Sequence, residues 1–596
     1  MQGCDVAIRV YKTENNFPNK MNTWQAIAKS KQESLRAAIP SEWIIPAHIL
    51  PPEHQTDVTS FPRQSGWFTN RELEILSTSA PRILAHLETR SWTSEEVTKV
   101  FCKAAAAAHQ LTNCLSEILF DEAIARAKEL DDHLRKTGKP KGPFHGLPIS
   151  LKDNFNIIGK DSTVGFTSLV NDPATYNSTL TDLLLQGGAV LYVKTNVPTA
   201  MMIAETVNNV FGRTVNPLNR KLTSGGSSGG ESALISFGAS RIGVGTDIGS
   251  DPLYPIASGS LRIPAACTGI FTLRPSFGRF PNFQTRSGLA GQEAVNSVNG
   301  PMASTLEEIT FYSKTVIDQE PWVNDPKCLP IPWRPAEPKH RLKLAVMWND
   351  GIVTPTPPVT RALKETVDRL RKAGHEVIDW KPTGHKEARQ LLQRKFVADG
   401  GKSVRGLLAP TGEPFREEMR DYEKATELGV HEMWQIHLER NTLQKDYLHR
   451  WNASGIDGIL CMILVSFPVD IFGLSVEHGK FAYVGYTGVF NILDYSAVSF
   501  PCGVKASKAL DVSYHGHKAL SDVDARIQHD CTLPHSYSSK SPQIDRTNIR
   551  ILDNASAVDG MPVSLQLVAR RLEEEKVLMM TGVVLQAVST GWKSKL

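Results

Sequence analysis

Serine- and glycine-rich segments and one lysine are the residues of this chain whose types and spacing could do chemistry. The segments are Thr223-Ser-Gly-Gly-Ser-Ser-Gly-Gly-Glu231, Gly245-Thr-Asp-Ile-Gly249 and Gly259-Ser-Leu-Arg-Ile-Pro-Ala-Ala266. Upstream, Lys152 stands near the end of the strand-like run His145-Gly-Leu-Pro-Ile-Ser-Leu-Lys-Asp153. Serines combined with a lysine favour a serine nucleophile that is activated without histidine.

Other chemistries fit these segments less well. A P-loop needs GxxxxGK[ST], which is absent around 223–249, and Ile248 replaces the third glycine of a dinucleotide fingerprint. The letters GxSxG occur within 225–230, but a nucleophile elbow needs a strand before the turn, and Lys221-Leu-Thr-Ser224 is a poor strand. No histidine lies within 212–300, although a distant histidine that folds into the site stays open.

A metal site has weak support. HExxH is absent, and histidines in a polar loop are usually just solvated. We therefore expect neither a metal nor another cofactor, although five potential ligands cluster late in the chain: His515, His517, His529, Cys531 and His535.

The elements around these segments predict an α/β sheet enzyme. Leu147, Ile149 and Leu151 alternate with polar residues, so Lys152 lies on the strand face opposite the leucines. The serine-glycine block could be a linker, which is what such runs most often are. Here it stands between strand-like and helix-like patterns, and its glycines let backbone amides approach a substrate closely.

The same alternation of helices and strands recurs along the chain. Thr93 and Glu96 predict a capping box before a helix, and a second helix is predicted over Glu117–Lys136, ending at Gly138. Further helices are predicted near 23–38, over 178–186, 231–237 and 359–373 and within 383–450, and strands over 189–194, 241–246, 342–347 and 376–380. Residues 505–550 are expected to form a long surface loop.

Composition sets broad limits. The 596 residues are 41% hydrophobic and 21% charged, with a net charge of +4 and no basic block, so nucleic acid is not an expected partner. Eight scattered cysteines favour free thiols in a reducing compartment. The N-terminus lacks a signal-peptide core, and the apolar run 458–474 contains Pro468 and Asp470, which favours buried core over a membrane span. We expect a cytoplasmic enzyme.

The ordered motifs resemble those of the amidase signature family, and most closely its fungal acetamidase-like branch. The matching segments, spread over roughly residues 70–590, are 142–153, 194–198, 225–231, 245–249, 262–266, 273–279, 486–494 and 562–568. The resemblance implies an amidase signature fold, a mixed central sheet flanked by many helices, over residues 81–590. Residues 1–80 are then an N-terminal extension, partly helical.

The resemblance also implies a Ser–Ser–Lys triad and a cis peptide at Gly226–Ser227. Neutral Lys152 is the general base, Ser227 relays the proton, and Ser260 attacks a carboxamide to form an acyl-enzyme. Water then releases the acid, and backbone N–H groups near Ile248 and Gly249 hold the oxyanion. The implied substrate-binding residues are Met201, Ser227, Ile248, Gly249 and Gly259.

The chain departs from this family at one place. Nine residues, Ser250-Asp-Pro-Leu-Tyr-Pro-Ile-Ala-Ser258, separate Gly249 from Gly259, where the family continues directly. Three outcomes stay open. The insert loops outward and leaves Ser260 in place, or Ser250 replaces Ser260 as the nucleophile, or the insert disables the site, for example as translated intron. A displacement of about 1 Å can cost about 10²-fold in rate.

The leading hypothesis is a stand-alone cytoplasmic amidase that converts a small-molecule amide to a carboxylate and ammonia or an amine. A long-chain (fatty acid) amide hydrolase is the alternative within the family and would need an apolar patch for membrane docking. An ammonia-delivering amidotransferase subunit and a catalytically impaired amidase-fold protein are the others. A homodimer is left open.

Overall fold

A computed structural model describes residues 23–248, 259–463, 483–511, 518–525 and 558–589. Gly249 and the insert 250–258 lie outside these ranges, as does most of the predicted surface loop between 505 and 550. The late histidines and Cys531 also lie outside them.

A mixed sheet of eleven strands forms the centre of the molecule. Its order is β1-β3-β2-β8-β10-β9-β14-β15-β13-β11-β12, and two short hairpins, β4-β5 and β6-β7, lie apart from it. The strands are β1 Leu115–Ile118, β2 Pro148–Lys152, β3 Val190–Thr195, β4 Val207–Asn208, β5 Gly212–Arg213, β6 Val215–Asn216, β7 Asn219–Thr223, β8 Ile242–Asp247, β9 Phe271–Arg274, β10 Val298–Ala303, β11 Lys343–Val346, β12 Glu376–Asp379, β13 Gly458–Met462, β14 Ala497–Lys505 and β15 Pro562–Val568.

Helices cover the sheet. They are α1 Trp24–Ala37, α2 Phe61–Gln64, α3 Asn70–Ser77, α4 Ala80–Glu88, α5 Ser94–Thr112, α6 Phe120–Thr137, α7 Thr179–Gln186, α8 Gly229–Phe237, α9 Arg262–Thr268, α10 Leu306–Asp318, α11 Pro357–Lys372, α12 His385–Phe396, α13 Lys402–Leu408, α14 Arg420–Lys424, α15 Val430–Ser454, α16 Gly485–Ile492 and α17 Glu574–Ser589. Short 3₁₀ turns connect several of them, among them Thr199–Met201.

The strand that carries Lys152 lies inside the sheet. β2 pairs in parallel with β3 on one side and with β8 on the other, and all five of its residues are buried. Parallel strands end at the same edge, where open α/β sheets bind their ligands. The register therefore brings the ends of β2 and β8, with Lys152 and Asp247, to one edge of the sheet.

Two local predictions differ from the structure. Glu117 lies in β1, not in a helix, because residues 115–118 pair with β3, and α6 begins only at Phe120. The Thr93 side chain accepts the backbone N–H of Glu96, as predicted, but the Glu96 carboxylate pairs with Arg71 and does not complete a capping box. The predicted end at Gly138 is confirmed, with that residue left-handed at the C-cap.

The described part of the N-terminal segment packs on the central core. Side chains such as Leu35, Phe61 and Phe68 are buried in the same apolar cluster as the strands. From α1, Lys31 forms ion pairs with Glu117 and Asp161 in a mostly buried position. Residues 23–80 therefore contribute directly to the packing of the sheet edge.

Candidate active site

Lys152 lies at the carboxyl end of β2 and is fully buried. Its ammonium nitrogen Nζ lies 2.7 Å from Ser227 Oγ and 2.8 Å from Thr246 Oγ1, and 3.4 Å from the Thr246 carbonyl oxygen. Because β2 and β8 are parallel neighbours, the Thr246 side chain reaches the end of β2. The lysine is thus held toward the serine-glycine segment by hydrogen bonds.

Burial also changes the protonation equilibrium of this lysine. Burial lowers the pKa of Lys152 from its ordinary value of 10.5 to about 7, although the carboxylates of Asp247, Asp153 and Glu231 oppose the change. A lysine with a pKa near neutrality can act as a general base, because an appreciable fraction carries no proton.

Glu231 lies in the first turn of α8 and faces strands β2 and β3. Its carboxylate accepts hydrogen bonds from the hydroxyls of Ser150 and Thr195 and is fully buried. Burial raises the pKa of Glu231 to about 7, while the hydroxyls and Lys152 act in the opposite direction. Each of these two buried groups therefore influences the titration of the other.

The serine-glycine segment leads into α8, and its Gly226–Ser227 peptide is cis. The neighbouring Ser228 N–H donates to the backbone carbonyl of Ser260 at 3.2 Å. Both Ser227 and Ser260 are buried. The two chain segments that carry the predicted relay and nucleophile are therefore in direct contact.

Asp247 joins the two chain ends that flank the insert. It is the last residue of β8, and its carboxylate accepts the N–H of Gly259 at 3.0 Å. The same carboxylate pairs with Arg262 at 3.3 Å and accepts from the Asn491 amide at 2.7 Å. Burial opposes ionisation, but Arg262 and then Arg274 hold the pKa of Asp247 below its usual value. Residues on both sides of the insert are thus anchored to one buried carboxylate.

A cavity of about 260 Å³ opens beside these segments. Its lining includes three of the predicted site residues, Met201, Ser227 and Ile248, but not Lys152, Gly259 or Ser260. Lys152 itself is not in the lining, but its two hydrogen-bond partners Ser227 and Thr246 are.

The backbone beside the cavity is strained. Ala200 and Met201 both have φ near +58° in the turn before the cavity, where non-glycine residues cost of order 1–3 kcal/mol each. Ala200 is fixed by its N–H bond to Val164 O at 2.9 Å and by the close approach of Gly288, where any Cβ would lie 2.8 Å from Ala200 Cα.

Three site residues were not assigned a role from the sequence. Thr246 and Asp247 lie inside a motif that was recognised, but their contacts with Lys152 and Gly259 depend on strand register. Glu231 was recognised only as the end of the serine-glycine segment, and its contact with Ser150 joins residues 81 positions apart. The alternation of polar residues along β2 was the available indication for that contact.

Among the described residues, no group of three or more His, Cys, Asp or Glu side chains could hold a metal ion. The histidine cluster considered above falls outside them. The six cysteines in the described ranges are buried free thiols.

Comparison with known proteins identifies the family. The family model described as Amidase matches residues 96–578. An acetamidase of Emericella nidulans is 37% identical over 93% of this chain and 96% of its own, and an acetamidase of Aspergillus oryzae is 35% identical over 94% and 98%. Among solved structures, a fatty acid amide hydrolase superposes with a TM-score of 0.84 at 30% identity, covering 95% of both chains.

The chain therefore belongs to the amidase family and has the amidase signature fold, and it is an amide hydrolase. Nearly the full length of each relative is represented in it. Within the ranges that the structure describes, no helix is long and apolar enough to cross a membrane.

Proposed function

We propose that this chain hydrolyses carboxamides through a Ser–Ser–Lys triad of Lys152, Ser227 and Ser260. The observation that carries the proposal is the 2.7 Å contact between buried Lys152 Nζ and Ser227 Oγ. The lowered pKa of Lys152 supports its role as the base at neutral pH.

The reaction proceeds through two acyl transfers. Ser260 Oγ attacks the amide carbonyl while its proton passes to Ser227 Oγ, and the Ser227 proton passes to Lys152 Nζ. The proton then returns to the leaving nitrogen, ammonia or an amine departs, and an ester to Ser260 remains. Water attacks this ester along the same proton path and releases the carboxylic acid. Backbone N–H groups near Ile248 and Gly249 stabilise the oxyanion.

The anchoring by Asp247 supports Ser260 over Ser250 as nucleophile. The Asp247 carboxylate holds Gly259 N–H directly, and the Ser260 carbonyl accepts from Ser228. Both contacts fix the backbone next to Ser260 independently of the insert. We therefore propose that the insert loops away from a triad that stays assembled.

The cavity supports small amides as substrates. Its volume of about 260 Å³ is below the roughly 300–1,000 Å³ typical of sites for drug-sized ligands. A cytoplasmic location and a homodimer stay predictions.

One observation favours the long-chain alternative. Val430, Trp434 and Leu438 follow one another at intervals of four on α15, and their exposed fractions are 67%, 61% and 59%. Such an apolar face is what docking to a membrane would require, and no such patch was evident from the sequence. The similarity to a fatty acid amide hydrolase is compatible with this second candidate. Rates on acetamide and on oleamide, measured side by side, distinguish the two substrate classes.

The direct test is labelling with a fluorophosphonate probe, followed by peptide mass mapping. We expect one adduct, on Ser260, which the Ser260→Ala variant loses. Ser250→Ala is the matched control and keeps the adduct. An adduct on Ser250 would relocate the nucleophile, and a folded protein without any adduct would indicate a disabled site.

A further inference from the structure

Lys395 is a buried amine outside the catalytic site. It lies in the last turn of α12, and its side chain is 1% exposed. Within the part of the chain that the structure describes, its Nζ is buried without a hydrogen-bond partner. A buried cation without a partner is costly, which makes this position unusual in a native fold.

Two further nitrogens on α15 share this property. His437 Nε2 and Arg440 Nε are also buried without partners among the described residues. α12 and α15 pack against each other, and an ion pair of 2.7 Å between Arg394 and Glu439 joins the positions next to Lys395 and Arg440. Three unpartnered nitrogens, of Lys395, His437 and Arg440, thus lie on two helices that pack against each other.

The nearby acids do not satisfy these donors. The charge of Glu439 raises the pKa of Lys395, but its carboxylate pairs with Arg394. The charge of Asp494 raises the pKa of Arg440, but its carboxylate pairs with Arg274 and Arg571.

The three basic groups influence one another. Burial first, then Arg440 and Arg394, lower the pKa of Lys395. Burial first, then Lys395 and Arg440, lower the pKa of His437. Mutual repulsion of this kind is relieved by a bound anion, which also supplies acceptor oxygens.

A second cavity adjoins the cluster. It measures about 730 Å³, and its lining includes Arg440 and three further arginines, Arg334, Arg570 and Arg571. Phe277 and Asn296 line both this cavity and the 260 Å³ cavity beside Ser227. The lining also includes Asp494 and Glu573, which pair with Arg571 and Arg570. Arg440 thus connects the cluster to a polar cavity through which an anion could enter.

We propose that Lys395, His437 and Arg440 form a binding site for a small oxyanion, a carboxylate or a phosphate. Its oxygens accept from the three nitrogens, and the negative charge compensates Arg440 and the ammonium form of Lys395. Arg440 also donates from Nη1 to the carbonyl of Ala294, in the loop whose neighbouring residues 289–292 line the substrate cavity. Arg440 thus links the proposed site to the loop that carries part of the lining of the cavity beside Ser227.

The test measures binding by isothermal titration calorimetry on the full chain, with inorganic phosphate and with sodium acetate as probes. Sodium chloride at matched ionic strength is the blank. We expect saturable binding to the wild type of at least one oxyanion, and the stronger of the two identifies the source. Lys395→Met and Arg440→Gln should each raise Kd about tenfold or more, which is the loss of one charge-assisted hydrogen bond.

The matched control is Lys445→Met. Lys445 is exposed and lies on α15, the helix that carries His437 and Arg440, so this variant should bind like the wild type. Without added anion, Lys395→Met should unfold at the same or a higher temperature than the wild type, because it removes a buried cation. Arg440→Gln keeps the test valid if Lys395→Met does not fold. No saturable binding to the wild type, or unchanged binding in both cluster variants, would overturn the proposal. The readout is binding, so it does not depend on whether the triad hydrolyses amides.

Discussion

Replacing Lys152 by methionine should strongly lower activity and, at low pH, make the protein more stable. The fall of the Lys152 pKa from 10.5 to about 7 corresponds to about 5 kcal/mol of unfavourable free energy for the charged form, at about 1.4 kcal/mol per tenfold change. Methionine removes this cost. It also leaves the hydroxyls of Ser227 and Thr246 without the lysine, at about 1–3 kcal/mol.

The sign of the difference depends on pH. Below about pH 7 both the folded and unfolded lysine carry the proton, so the wild type bears the full cost. Between about pH 7 and 10.5 the unfolded state binds more protons, and wild-type stability rises relative to the variant. Lys152→Met should therefore be on the order of 2 kcal/mol more stable at pH 6 and less stable than the wild type at pH 10.

Urea unfolding at pH 6, 8 and 10 measures the stability difference, and hydrolysis of acetamide measures activity. Wild-type kcat/KM should fall on the acid side with a midpoint near pH 7, by about 100-fold at pH 5, and the variant should lose about 10²–10⁴-fold at every pH. A Lys152→Met protein that is less stable than the wild type at pH 6 would refute the burial argument. An acid midpoint near pH 10 would do the same.

The control for this assignment is Glu231→Gln. The Glu231 carboxylate raises the pKa of Lys152, so removing its charge should move the acid midpoint of kcat/KM to lower pH. Complete loss of the acid decline in this variant would assign the titration to Glu231, whose pKa is also about 7.

The remaining predictions concern the groups around the nucleophile. Ser260→Ala should lower kcat about 10⁴-fold or more and Ser227→Ala about 10²–10⁴-fold, in the same acetamide assay; equal activity of Ser260→Ala and wild type would exclude Ser260. Gly259→Ala should lower kcat about 10²-fold, because φ is +93° and the new Cβ would lie 2.6 Å from Thr487 Cβ; an unchanged rate would show that this backbone adapts freely. Asp247→Asn should destabilise the fold by about 3–5 kcal/mol in urea unfolding, since it leaves a buried guanidinium unpaired; a loss below 1 kcal/mol would contradict the anchoring role.

Much of the fold could be predicted because local patterns agree with the tertiary structure. The alternation at Leu147–Leu151 predicts β2, and the predicted helix that begins after Thr93 is confirmed as α5. The prediction for Glu117 was wrong because a short helical pattern competed with strand pairing that only β3 supplies. The family and its fold were predicted correctly from the ordered motifs.

The electrostatics of the site could not be predicted in the same way. Arg262 bonds Gln566, which lies 304 residues further along the chain, and Asn491 joins Asp247 across 244 residues. No local periodicity encodes such contacts, since they depend on how helices α9 and α16 pack against the ends of strands that are far apart in sequence. The burial of Lys152 likewise depends on the two strands beside β2 and on helices α5 and α8, which pack against it.

The bond between Asp247 and Gly259 has a consequence for how this family can vary in length. A loop whose two ends are tied together by the fold adds closure entropy only slowly, by about 0.6 kcal/mol for each doubling of its length. Gly259 N–H donates to the Asp247 carboxylate, twelve residues earlier in the chain. Added residues between the two positions therefore weaken this hydrogen bond very little. The stretch between Asp247 and Gly259 is thus a place where the chain can gain residues at little cost to the folded core that holds its two ends.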